Sequence, residues 1–241
     1  MFGRDKLAVL MAEFLGTGIL TMLVLSVQRS TIGVPFFIAA AAGLTLMMAT
    51  FVFGGISGAH LNPAVTLGMW TVRKISTLHG VLYIAMQMLG AWAAYYLYTY
   101  YVSSQFTSIG GHYSTKVLVA ESVGTFIFTF GWAAGMYQKF AVGSRAALVG
   151  LSYMLAIIAS SAASLGLLNP ALALGSKAWV LGSYVLGPVI GAVVGFNLYS
   201  LLFAEGGARI FGMAAMSPMT ASGPVAKKAT KKTRKTSSRK R

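Results

Sequence analysis

Asn62-Pro63-Ala64 recurs 107 residues later as Asn169-Pro170-Ala171, each time in a stretch without charge. The chemistry on offer there is hydrogen bonding at the tip of a helix. Asparagine caps the free amides of a helix start, and proline at the first helical position gives up no intrahelical bond. The two triplets therefore predict short helices over Pro63–Thr71 and Pro170–Ala178. Gly54, Gly55 and Gly58 before the first, and Gly166 before the second, turn the backbone ahead of each. Nine helical residues span only about 13 Å, too little to cross a membrane. If two such stubs enter from opposite faces and meet, their N-termini each carry roughly half a positive charge. Cations are then repelled, while the Asn62 and Asn169 amides donate to a neutral solute. A water held by two donors can only accept from them, which interrupts a proton wire.

The rest of the chain must hold these stubs in place. Of 241 residues, 56% are hydrophobic and only 10% charged, the balance of a polytopic all-α membrane protein. Six apolar tracts reach the roughly 20 residues needed to cross a bilayer: Leu7–Val27, Pro35–Phe53, Leu78–Val102, Val117–Gln138, Ala146–Ala162 and Ser183–Ala204. The first follows Arg4 and Lys6 but contains Glu13 and has no clean small-residue cleavage site, so it reads as a retained helix. With both termini cytoplasmic, one side receives Arg4, Lys6, Arg73, Lys74, Lys139, Arg145, Arg209 and the nine basic residues from Lys227 onward. The other receives only Arg29, Lys116 and Lys177, so the charge bias agrees with an even number of crossings.

The chain is also a repeat. Ala12-Glu13-Phe14-Leu15-Gly16-Thr17 matches Ala120-Glu121-Ser122-Val123-Gly124-Thr125 at an offset of 108. Tyr83 and Gly90 match Tyr184 and Gly191 at 101, so the second half is shorter by about six residues after its triplet. Three crossings per half turn the second half upside down, an inverted repeat whose broken segments point to a site near the midplane. Glu13 and Glu121 fall at equivalent places inside apolar tracts. An intramembrane carboxylate does not face lipid, and these two read as acceptors for nearby backbone rather than as a proton relay, which would want more titratable partners. The closely spaced Gly187, Gly191 and Gly195, like Gly90 and Ala94, read as helix-packing positions. Tyr95, Tyr96, Tyr98, Tyr100 and Tyr101 read as an interfacial aromatic belt.

Enzymes are poorly served by this inventory. No nucleophile, base and orienting group converge, no metal-ligand spacing occurs, no cofactor is implied, and cysteine is absent. A secondary transporter shares the broken-helix architecture but would need a coupling-ion site.

Taken together, Ala12 to Thr17, Ser57-Gly58-Ala59-His60-Leu61-Asn62-Pro63-Ala64-Val65-Thr66, Tyr83-Ile84 with Gln87 and Gly90-Ala91, Glu121, and Gly187-Pro188 with Gly191 resemble the aquaporins of the major intrinsic protein family over about residues 7–204. The resemblance implies six transmembrane helices plus two re-entrant half helices, one pore per subunit and a homotetramer. It further implies that Asn62 and Asn169 line the pore. Backbone carbonyls of Gly58, Ala59, His60, Leu165, Gly166 and Leu167 would form an acceptor ladder, and Glu13 and Glu121 would brace the loops. The resemblance implies that the backbone at His60 faces the path, which argues against a metal-ligand or proton-shuttle role for this histidine.

One departure from the family bears on selectivity. Most relatives carry Arg directly after the second triplet, and this chain has Leu172. By ungapped spacing the rest of the filter resembles Ala42, Ile157 and Gly166, where an aromatic is usual at the position of Ala42. Lys177 stands five residues beyond Leu172, about 7.5 Å along a helix, too far to substitute. The expected function is a passive channel for water and small uncharged solutes such as glycerol or urea, through a wider and more apolar filter. The alternatives are a poorly conducting member with a structural or adhesive role, whose apolar ring dewets, and a secondary transporter.

Residues 1–206 form the expected channel domain, with repeat halves at about 7–102 and 117–204. Residues 207–241 form a basic tail too polar to fold, cytoplasmic, suited to anionic lipid and less so to non-specific nucleic-acid contact.

Overall fold

A computed structural model describes residues 4–204; the basic tail and Arg209 lie outside the described residues. Within them the chain is helical, in the order α1 (Arg4–Gln28), α2 (Pro35–Phe53), α3 (Pro63–Thr71), α4 (Thr77–Val102), α5 (Thr115–Tyr137), α6 (Val142–Ser160), α7 (Pro170–Gly175) and α8 (Gly187–Phe203). Prolines open α2, α3 and α7 at the first helical turn, where the missing N–H costs no bond. Ser76 and Ser114 cap α4 and α5 with their hydroxyls. Six spans are long and apolar enough to cross a membrane, the last running from Leu181 to Phe203.

The start of that last span differs from the sequence expectation. A π-helical turn at Leu181–Leu186 leads into α8. Pro188 has no N–H to return to the carbonyl of Tyr184, so an ordinary α register is already broken there.

The two halves, α1 to α4 and α5 to α8, pack by one rule. α1 lies against α4 and α5 against α8; each half helix packs on the last helix of the opposite half, α3 on α8 and α7 on α4; and α2 meets α6. Reciprocal contacts of this kind are what a two-fold relation between similar units requires. Small residues set the crossings. A Cβ on Gly90 would collide with the Phe14 carbonyl, and one on its counterpart Gly191 with the Ser122 carbonyl.

Phe128, Tyr153, Phe196, Leu20, Leu46 and Leu61 are fully buried in the interior of the bundle. Outward positions such as Leu44, Phe51, Val119 and Leu155 are more than half exposed. That inversion of the soluble pattern is what lipid as solvent permits. The five tyrosines do not form a single belt: Tyr96, Tyr100 and Tyr101 face outward, but Tyr95 and Tyr98 are buried and pack on Phe106 of the α4–α5 connection.

Candidate functional site

The two triplets fold alike. Asn62 and Asn169 hold extended backbones, φ −158° and −154°, and each caps the helix that follows. Asn62 Oδ1 accepts from Ala64 N at 2.8 Å, and Asn169 Oδ1 accepts from Ala171 N at 2.9 Å. Their amides cross over. Asn62 Nδ2 donates to the Leu168 carbonyl at 2.9 Å, and Asn169 Nδ2 donates to the Leu61 carbonyl at 3.0 Å. Both side chains are almost wholly buried, and the two helix tips are tied together through reciprocal bonds. The second amide hydrogen of Asn62 meets no acceptor among the described residues. The Asn169 amide also neighbours the Tyr153 hydroxyl, an asymmetry with no counterpart in the first half, where Leu46 occupies the equivalent place.

The loops before the triplets reach this geometry through left-handed residues. Ala59 and Leu61 have φ 53° and 49°, and their counterparts Gly166 and Leu168 have 64° and 53°. A leucine pays about 1–2 kcal/mol for that conformation, so neighbours must hold it there. The two glutamates do so. Glu13 Oε1 accepts from Ser57 Oγ at 2.6 Å and His60 N at 3.0 Å, and Oε2 accepts from Leu61 N at 2.8 Å and Gln87 Nε2 at 2.7 Å. Glu121 accepts from Leu167 N at 3.1 Å and Leu168 N at 2.7 Å. With their N–H groups turned to a carboxylate, these residues point their carbonyls the other way.

Five of the six carbonyls expected to form a ladder, those of Gly58, Ala59, His60, Leu165 and Gly166, meet no protein donor among the described residues. The sixth, Leu167, accepts from the Tyr153 hydroxyl at 2.8 Å. Sequence reasoning missed that bond, and it missed the use made of Gln87. Gln87 is fully buried and bridges Glu13 to Thr66, donating to Thr66 Oγ1 at 3.0 Å, while Thr66 Oγ1 lies 3.2 Å from His60 Nδ1. A lone glutamine in an otherwise apolar tract was the signal available.

The four positions that the resemblance implies for a filter are apolar and enclosed. Ala42, Ile157 and Leu172 are 0%, 2% and 1% exposed and join one apolar cluster. Gly166 lies against Ile157: a Cβ there would come within 3.0 Å of Ile157 Cγ2. Lys177 is not beside them. Its ammonium sits 4.9 Å above the Tyr95 ring.

The second half helix is shorter than its sequence suggests, Pro170–Gly175 rather than Pro170–Ala178. Lys177 turns left-handed at φ 59°, and its carbonyl accepts from Ile109 N at 3.0 Å and Ser108 Oγ at 3.1 Å instead of continuing the helix. Arg73 does the same after α3, at φ 58°. The ring of His60 faces a cavity of about 300 Å³ lined also by Ser57, Gly58 and Trp132. Burial pushes its imidazole below the ordinary value of 6.5, with Glu13 pulling partly the other way. Among the described residues no cluster of His, Cys, Asp and Glu could hold a metal.

Against known proteins, the family model described as major intrinsic protein matches residues 4–199. Aquaporin Z of Photorhabdus laumondii is 30% identical, over 81% of this chain and 97% of that protein. Aquaporin AqpM of Methanothermobacter thermautotrophicus is also 30% identical, over 70% of this chain and 77% of its own. The glycerol uptake facilitator protein-like 6 of Lactiplantibacillus plantarum is 30% identical as well, over 76% and 93%. In fold, the chain is similar to the aquaglyceroporin of Plasmodium falciparum, with a TM-score of 0.68 and 23% identity over 80% of this chain and 95% of that one. On the family match and these relatives, this multi-pass helical membrane protein belongs to the major intrinsic protein family.

Proposed function

We propose that the chain is a passive channel for water and small uncharged solutes. The path runs between the Asn62 and Asn169 amides, along the carbonyls of Gly58, Ala59, His60, Leu165 and Gly166, and through a ring of Ala42, Ile157, Gly166 and Leu172. One observation carries the reading: two capping asparagines, at the tips of two half helices, each bonded to the loop of the other. That arrangement aims two positive helix ends at one spot while leaving donors and unpaired carbonyls beside it. The relatives support the solute class, since they are named as aquaporins and as a glycerol uptake facilitator.

Assembly as a homotetramer, both termini in the cytoplasm and a basic tail held near anionic lipid complete the proposal. The charge bias supports the orientation.

The near-complete burial of Ala42, Ile157 and Leu172 favours a second reading, in which the apolar ring is dry and the protein conducts poorly, serving a structural or adhesive role. Stopped-flow measurements on proteoliposomes decide between them. The channel reading expects water, glycerol and urea fluxes above those of empty vesicles; no flux for any of them, with clustering of the vesicles, would establish the second reading instead.

A further inference from the structure

Leu172 leaves the narrow ring without a fixed cation, yet the cavity before His60 carries two. Lys74, just past the end of α3, and Arg145, in the first turn of α6, line the same space of about 300 Å³ as Ser57, Gly58, His60 and Trp132. The hydroxyls there are already engaged: Ser57 Oγ donates to Glu13 and Thr50 Oγ1 to the Leu46 carbonyl. Among the described residues no carboxylate lines the cavity. Among the described residues the acids are Asp5, Glu13 and Glu121; Glu13 and Glu121 are spent on loop amides, and Asp5 lies by Lys6 in a separate depression. Lys74 Nζ lies 5.0 Å above the Tyr137 ring, which places its charge at the rim without neutralising it.

We infer that this mouth, through Lys74 and Arg145, supplies the rejection of small inorganic cations that the Leu172 ring does not. A concave, low-dielectric opening lined by one sign of charge concentrates its field inward. Rings of charged side chains at a pore entrance set which ions approach it. Both side chains are exposed, so the barrier is an approach barrier and weakens as salt screens it over a Debye length of about 10 Å at 0.1 M. Water and neutral solutes carry no charge and pass unaffected. The mouth and the helix tips then act in series, one on approach and one at the midpoint.

The inference rests on the channel reading above, and one experiment separates them. Water permeability and potassium leak are measured in the same proteoliposomes for the wild type, for Lys74→Gln with Arg145→Gln, and for that pair with Leu172→Arg added. The expected result is unchanged water flux in the paired variant with potassium leak raised about tenfold at low salt. Wild-type leak climbs toward the same level at high salt, and Leu172→Arg restores rejection. Water flux with a leak that the paired substitution does not move would overturn the inference alone, whereas a wild type that passes no water would overturn both.

Discussion

Gly43 and Gly150 occupy equivalent positions in the two halves and lie face to face where α2 meets α6. A Cβ on Gly43 would stand 2.7 Å from the Gly150 carbonyl oxygen, and one on Gly150 would run into the Gly43 carbonyl. The contact lies on the line about which the halves are related, so a side chain at either position separates both halves at once. Overpacking of this sort costs about 1–3 kcal/mol. Gly150→Ala should therefore lower the unfolding temperature of the purified protein in detergent. Gly55→Ala, with no neighbour within 4 Å of its added Cβ, should leave that temperature nearly alone. Equal stability of the two variants would remove α2–α6 contact from the account of what joins the halves.

The glutamates make unequal demands. All the oxygen capacity used at Glu13 faces donors, four of them, and two come from side chains, Ser57 and Gln87. Glu121 accepts from two backbone amides; the nearby Ser164 hydroxyl, counterpart of Ser57, donates instead to the Ser160 carbonyl at 3.1 Å, and the position of Gln87 is taken by Pro188. A glutamine turns an NH₂ toward donors wherever it replaces a carboxylate oxygen, and leaving a buried group unsatisfied costs about 1–3 kcal/mol. Glu13→Gln is expected to destabilise more than Glu121→Gln in a detergent melting series. The reverse order would mean that the Gln87–Thr66 bridge contributes nothing to holding the first loop.

Asn62→Asp keeps the capping oxygen for Ala64 N but replaces the donor to the Leu168 carbonyl with a second acceptor. The reciprocal Asn169 bond to Leu61 then stands alone. The change brings negative charge to the place where two helix N-termini converge, so it should raise cation leak while lowering stability. Asn169→Asp should do the same, since the two sites are related by the repeat. A pH-dye and potassium leak assay on both variants checks this; an effect in one half only would show that the repeat's geometry is not shared by its function.

His60 sets a pH dependence. Its buried imidazole titrates below 6.5, so the folded protein takes up a proton there less readily than the unfolded chain does. Stability is therefore fully present above about pH 6.5 and declines as pH falls from there through the lower folded value. Around the ring stand Tyr83 and Trp132 at 5.2 and 6.4 Å between centroids, the Thr66 hydroxyl at 3.2 Å from Nδ1, and Lys74 and Arg145 in the shared cavity, while Glu13 pulls partly the other way. Melting curves from pH 8 to 5 should show an acid-side loss that His60→Gln reduces. The same loss in that variant would place the sensitive group elsewhere.

Much of this arrangement is written in local sequence. Asn-Pro-Ala states both the cap and the helix start, and the offset between the halves places Glu13 opposite Glu121. What could not be read depends on partners far along the chain. α7 stops at Gly175 where Lys177 turns left-handed and Ala178 N returns to the Ala173 carbonyl, and the Lys177 carbonyl beyond it is held by Ser108 and Ile109, which no window around Lys177 contains. Tyr95 and Tyr98 look like their exposed neighbours until Phe106 folds back on them. Arg29 reads as a loop charge, yet its guanidinium carbon lies 4.2 Å over the same Phe106 ring. The spacing Tyr83 to Tyr184 gave the second half six residues fewer, but not that part of the loss falls within the half helix itself.

Leu172 offers the most direct test of selectivity. It is 1% exposed, packed in the same apolar cluster as Ala42 and Ile157, and its amide is 3.5 Å from Asn169 Oδ1. A cation introduced there is tolerated only if it reaches carbonyls or water, because an unpaired buried charge is expelled or unfolds its surroundings. If the solute path passes this ring, Leu172→Arg should still fold and pass water, while glycerol and urea fluxes fall about tenfold, the scale of discrimination that small changes in a tight apolar site produce. Leu172→Ala should move the same fluxes upward by opening the ring without adding charge. Stopped-flow traces for the pair, taken with the wild type at equal protein density, give the answer. If Leu172→Ala changes no flux and Leu172→Arg only prevents folding, residue 172 belongs to the packing between the halves and the constriction lies elsewhere.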